Sequence, residues 1–153
     1  MKRPALPFEE INIRLWRPDS KEQLLKSCPS GLVPTLLNGD LAIWDSLAIL
    51  DYLAEQHPNI EMWPRYRAAR ADARPVSAEM HSGFQALREN CSMELLARSP
   101  QSTLPPAVET DIRRIVAIWR DCRARFGLSG PFLFGQFAAA DAMCAPVASR
   151  FRT

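Results

Sequence analysis

Pro29-Ser30-Gly31-Leu32-Val33-Pro34-Thr35-Leu36-Leu37, then Asn38-Gly39-Asp40, then Leu41-Ala42-Ile43-Trp44-Asp45-Ser46: the reading of this stretch decides the fold. Two short apolar runs flank an Asn-Gly pair, the strongest short-range signal for a β-hairpin. Residues 32–37 therefore read as one strand and residues 41–44 as its partner. Asp45-Ser46 stands where a helix should open, with Leu47, Ile49, Leu50, Leu53 and Ala54 as its apolar positions. Pro58 cannot continue that helix, so it ends near His57.

Upstream, residues 8–16 alternate from Glu10 onward and put Ile11, Ile13 and Leu15 on one face, the pattern of a strand with one buried side. Pro18-Asp19-Ser20 turns the chain, and Asp19 or Ser20 can cap a short helix through Glu22, Leu24, Leu25 and Lys26. Cys28-Pro29-Ser30-Gly31 stops it. Residues 8–57 thus read strand, helix, strand, hairpin, strand, helix.

Downstream the pattern changes. Residues 58–66 are irregular and hold Trp63-Pro64. Residues 67–98 carry apolar residues at helical spacing, with Pro75 the one disruption expected. A loop with three prolines spans 99–106. A long helix is expected over 107–126, burying Val108, Ile112, Ile115, Val116 and Trp119. Residues 127–131 break it, and a further helix begins at 139. The expected organisation is an α/β unit over 1–62, a linker over 63–66 and an all-α unit over 67–153.

At 153 residues the chain is about one average domain long. Its 47% hydrophobic and 24% charged residues exclude disordered, collagenous and disulfide-scaffold classes. No apolar run reaches the roughly 18 residues a membrane span needs, and none follows Met1-Lys2-Arg3-Pro4 as in a secretory signal. Residues 1–62 carry 6 Lys+Arg against 9 Asp+Glu, and residues 63–153 carry 13 against 8. The net charge of +2 is too small to argue for nucleic acid. Cys28, Cys91, Cys122 and Cys144 form no CxxC pair and, with His57 and His81, no metal pattern. Free thiols in a reducing, cytoplasmic compartment are expected.

Two motifs can carry chemistry. A cis Val33–Pro34 bond would present the Val33 backbone sideways to an extended peptide, whereas a trans proline would merely start an edge strand. Asp45-Ser46 at a helix start suits the ammonium and carboxylate of an amino acid, or simply caps the helix.

The order of these pieces resembles the cytosolic glutathione S-transferase family, in its bacterial branch. The resemblance rests on Pro29 to Leu36, on Gly39-Asp40-Leu41-Ala42-Ile43-Trp44-Asp45-Ser46-Leu47-Ala48-Ile49-Leu50-Asp51-Tyr52-Leu53-Ala54-Glu55, and on Phe134-Gly135-Gln136-Phe137-Ala138-Ala139-Ala140-Asp141-Ala142-Met143. Ala78-Glu79-Met80-His81-Ser82-Gly83-Phe84 adds a match to the first helix of the family's helical domain. The resemblance implies a thioredoxin-like N-terminal domain and a helical C-terminal domain with glutathione between them. It implies that Val33, beside a cis Pro34, pairs with the cysteinyl part of glutathione, and that Asp45 and Ser46 hold the γ-glutamyl end. Met80, His81, Phe84 and Arg88 become candidates to line the cleft; core and surface roles fit them equally. Asp141 is implied as a structural cap whose carboxylate reaches the Ala138 amide, with Ala138 where the family carries Ser or Thr.

The resemblance also implies a homodimer, a small electrophile as second substrate, and no metal. The family's first strand and most of its first helix have no counterpart here, and its last helices are missing. The thiol-activating residue lies in that first segment, so no catalytic residue is assigned. Weak or absent conjugation is expected of this chain, or else a non-catalytic binding module of the same fold.

Overall fold

The hairpin forms where the Asn-Gly signal sets it. In the computed structural model, which describes residues 6–93, 95 and 103–152, strand β1 (Thr35–Asn38) runs antiparallel to β2 (Leu41–Trp44). Asn38 pairs with Leu41, so the loop is Gly39-Asp40 alone. Gly39 takes φ +57, a conformation glycine adopts at no steric cost. Asn38 therefore belongs to the strand rather than to the turn.

Two compact units are present, Met1–Ile60 and Glu61–Thr153. The first contains helix α1 (Ser20–Ser27), the hairpin and helix α2 (Ser46–Gln56), with Leu24, Cys28, Ile49 and Leu53 buried. A cis Val33–Pro34 peptide, a hairpin and a following helix give this unit a thioredoxin-like order.

Three expectations for this unit need correction. Residues 8–16 form no strand: Ile11 is 65% exposed and Trp16 97%. A strand is held by its ladder and its cross-strand neighbours, and among the described residues only β1 and β2 pair in this unit. The alternation is present, but among the described residues no strand pairs with it. Strand β1 starts at Thr35, leaving Leu32 and Val33 outside the ladder. Asp19 occupies the N-cap of α1 without capping it, and its carboxylate instead accepts from Gln23 Nε2 at 2.5 Å. The Ser20 hydroxyl is turned backwards, accepting from Arg17 N (2.8 Å) and donating to Arg14 O (2.7 Å).

The second unit is helical: α3 (Arg67–Ser82), α4 (Gln85–Asn90), α5 (Pro106–Phe126) and α6 (Ala139–Ser149), with single 3-10 turns at Gly127–Ser129 and Arg150–Arg152. Helix α3 packs on α6 through small side chains spaced four apart, Ala69, Ala73 and Ser77, against Ala140, Cys144 and Val147. Such a face lets two helix backbones approach closely. The buried Ser77 hydroxyl is satisfied by donating to Ala73 O at 2.7 Å. Met62 and Trp63 are buried, and the Ala139 amide donates to Met62 O at 2.7 Å.

The expected helix over 67–98 is also corrected. Pro75 lies inside α3 without ending it. The break falls at Gly83-Phe84, where Gly83 N closes the last turn on Glu79 O (2.8 Å) and Phe84 takes φ +63. A Cβ on Gly83 would stand 2.7 Å from that same carbonyl. Beyond α4 the chain is not helical at residues 91–93. Residues 94 and 96–98 of the expected helix, residues 99–102 of the expected loop, and the opening Met1 to Pro4 lie outside the described residues.

Candidate functional site

The hairpin register assembles the first unit's candidate site. Thr35 faces Trp44 at the open end of the ladder. One residue further along each strand stand Pro34 and Asp45, and one further again Val33 and Ser46. Two motifs separated by eleven residues in sequence thus adjoin the same end of the ladder.

Val33 is 52% exposed, and its backbone makes no hydrogen bond to another described residue. Its N–H and C=O are thus open to an extended partner. Opposite, Asp45 is the N-cap of α2, and its Oδ1 accepts from Leu47 N (2.9 Å) and Ala48 N (3.3 Å). Asp45 has φ +77, a left-handed value that residues with a Cβ adopt at a cost. The capping reading of Asp45 is therefore realised in the structure. A carboxylate offers about four lone-pair sites, so two cap bonds do not exclude an ammonium group at the same side chain. Ser46 is the first residue of the helix, at the positive end of its dipole.

A small polar cluster lies around Cys28 in the same unit. Cys28 is 2% exposed, and its Sγ stands 3.0 Å from Ser30 Oγ. Burial pushes its thiol pKa up, but the hydrogen bond with the Ser30 side chain, together with the nearby Thr35 side chain and the Ser30 and Gly31 backbone, outweighs this and brings it down to about 7. The sequence signal was the Cys-x-Ser spacing after a helix, which is weak by itself. The Thr35 hydroxyl donates to Leu32 O at 3.0 Å, tying the strand to the loop before it. At the far end of the hairpin Asn38 Nδ2 donates to Tyr52 Oη at 2.6 Å. The sequence singled out Asn38 for the turn alone and gave no sign of a bond to Tyr52, fourteen positions away.

The other candidates lie in the helical unit. Met80 is 1% exposed and Phe84 8%. His81 is exposed near the end of α3. Arg88 is committed to backbone: it donates to Gly83 O at 2.8 Å, to His81 O at 3.3 Å and closely to Met80 O, closing the carboxyl end of α3. Asp111 from α5 accepts from Leu87 N at 3.0 Å, a cap that α4 cannot draw from Phe84. The structure therefore gives Arg88 a structural task, and all four residues belong to the helical unit.

Asp141 serves two amides, Ala138 N through Oδ2 (2.9 Å) and Leu133 N through Oδ1 (3.0 Å). Ala138 has no side-chain acceptor, so only the carboxylate half of the reciprocal cap forms.

The arginine surplus of the helical unit is built into its fold. Arg123 Nη1 donates to Gly127, Gly130 and Phe132 carbonyls, and Arg150 Nη1 to Arg88 and Cys91 carbonyls. Arg114 pairs with Glu79 at 2.8 Å, and Arg125 with Asp72 at 2.6 Å and Asp121 at 3.0 Å. A groove of about 400 Å³ in this unit, walled by Trp63, Tyr66, Phe126, Phe134 and Phe137, contains none of the candidate residues. Among the described residues no helix is long and apolar enough to cross a membrane.

Residues 5–56 match the family model described as glutathione S-transferase, N-terminal domain. The chain is 34% identical over 89 residues to a protein of Caenorhabditis elegans named probable maleylacetoacetate isomerase, covering 58% of this chain and 42% of that protein. It is 30% identical over 126 residues to the glutathione S-transferase GstB of Escherichia coli K12, covering 80% of this chain and 57% of the relative. It thus spans about half the length of these relatives. Among solved structures it resembles a theta class glutathione S-transferase from Xanthomonas axonopodis pv. citri with glutathione bound. The TM-score is 0.61 at 22% identity, over 93% of this chain and 69% of that one, a likeness of fold.

Proposed function

We propose that this chain, which belongs to the cytosolic glutathione S-transferase family, binds glutathione along the edge where Val33 and Pro34 face Asp45 and Ser46. The observation that carries the proposal is the register. A pairing of Thr35 with Trp44 sets an unbonded peptide group at Val33 beside a capped helix start at Asp45. The Val33 backbone pairs with the cysteinyl peptide of glutathione as a strand edge pairs with a strand. The Asp45 carboxylate accepts from the γ-glutamyl ammonium. The Ser46 hydroxyl and the positive end of α2 take the γ-glutamyl carboxylate.

Transfer of the bound thiol to a small electrophile is slow in this chain. A thiol near pKa 9 needs a donor to favour its thiolate at neutral pH. The hydroxyl hydrogens of Ser20 and Thr35 go to the Arg14 and Leu32 carbonyls, and the Ser30 hydroxyl is engaged with Cys28. The chain acts as a homodimer in a reducing cytoplasm, without a metal.

Thermal unfolding with and without millimolar glutathione tests the reading. At 100 times the dissociation constant, binding to the native state adds ~2.7 kcal/mol, and the transition moves up. A Ser46→Ala chain should move less. A transition that glutathione leaves in place contradicts the proposal.

A further inference from the structure

We infer that the Asn38–Tyr52 hydrogen bond positions the start of helix α2 for glutathione, an inference that rests on the binding reading above. Helix α2 returns along the hairpin from its open end to its turn. Seven residues from Asp45 to Tyr52 rise ~10 Å in a helix, and three steps of strand from Thr35 to Asn38 also span ~10 Å. The helix is therefore fixed at two points, its start and a residue seven positions along it. One is covalent, at the junction of Trp44 with Asp45, where β2 is held by its pairing with Thr35. The other is the 2.6 Å bond from Asn38 Nδ2 to Tyr52 Oη, beside the turn.

Ile49, between those points, and Leu53, just beyond Tyr52, bury one side of α2. Apolar contact is non-directional: it holds the helix down but does not fix its direction. The hydrogen bond is directional, and it sets the angle at which the first turn leaves Asp45. That angle aims the Ser46 hydroxyl and the amides that Asp45 caps. The Asp45 backbone, at φ +77, is costly and persists only while its surroundings determine it. Tyr52 thus acts through Asp45 and Ser46 and touches no ligand itself.

Tyr52→Phe removes the acceptor and keeps the ring. Two readouts on the full chain separate positioning from mere support: glutathione affinity, and amide hydrogen exchange along α2. In the variant, affinity should fall about threefold to tenfold, the range of one hydrogen bond. The amides of Ser46, Leu47 and Ala48 should exchange faster, while that of Leu53 keeps its rate. Acceleration along the whole helix, Leu53 included, means general support and overturns the inference. So does unchanged affinity with unchanged exchange. If the unsubstituted chain binds no glutathione, the binding reading falls, and with it the positioning role assigned to Tyr52; wild-type binding with an indifferent variant overturns the positioning role alone.

Discussion

Thr35 and Trp44 face each other across the last rung of the hairpin, and Pro34 and Asp45 are the residues that adjoin that rung in the chain. The site follows from it. A β-hairpin has a side-chain period of two, so a slip of one residue would turn every side chain of a strand to the other face. The Gly39-Asp40 loop fixes the register from one end and the α2 cap closes it at the other.

Asp45 caps α2 and, in the proposed function, holds the ligand's ammonium; substitution separates the two. Asp45→Ala loses the cap and should cost about 0.5–2 kcal/mol of stability. Asp45→Gly loses the same carboxylate but suits φ +77 and costs only a few tenths at an N-cap. Denaturant unfolding should therefore rank glycine above alanine, while both bind glutathione poorly.

Asp141→Ala leaves the Ala138 and Leu133 amides without their acceptor. Each partly buried donor left unmade costs ~1–3 kcal/mol, so a loss of about 2–6 kcal/mol is expected in chemical unfolding. Asp141→Asn keeps one acceptor oxygen and should fall between. Glutathione affinity of the folded fraction should not change, because Asp141 serves only the helical unit.

Much of this was legible in the sequence, and for a physical reason. The hairpin, α2 and α5 are written in local signals: Asn-Gly, an Asp at a helix start, an apolar stripe at 3.6 spacing. Pro34 and Asp45 stand at equal distances from the Gly39-Asp40 loop, but what joined the two motifs in the sequence was the family resemblance and not the turn signal. What failed was non-local. The alternation of Ile11, Ile13 and Leu15 states which face would be buried, but not whether anything lies beside it. The break at Gly83-Phe84 is held by Arg88 on three carbonyls and by Asp111 from α5, twenty-four residues from the Leu87 it caps. Pro75, the obvious breaker, sits inside α3.

The thiols should separate by pH. Cys28 has a pKa of about 7, whereas burial raises Cys122 to about 11 and Cys144 to about 12. Alkylation of the native chain at pH 8 should label Cys28 before Cys122 and Cys144, and those two fully only after unfolding. Ser30→Ala removes a hydrogen bond that favours the thiolate, so its half-maximal rate should move to higher pH.

The same group makes stability depend on pH. Its folded pKa lies below the free value of 9.0, so its ionisation favours the fold. That contribution is complete above about pH 9 and is lost as pH falls through about 7. Unfolding of Cys28→Ala should lack this slope between pH 7 and 9; a slope equal to that of the parent chain would assign it to another group.

Backbone amide shifts during a glutathione titration test the central claim most directly. Glutathione bound at the hairpin edge should move the Val33, Ser46, Leu47 and Ala48 amides saturably and together, with one dissociation constant. Shifts confined to the helical unit, or none that saturate, would contradict it.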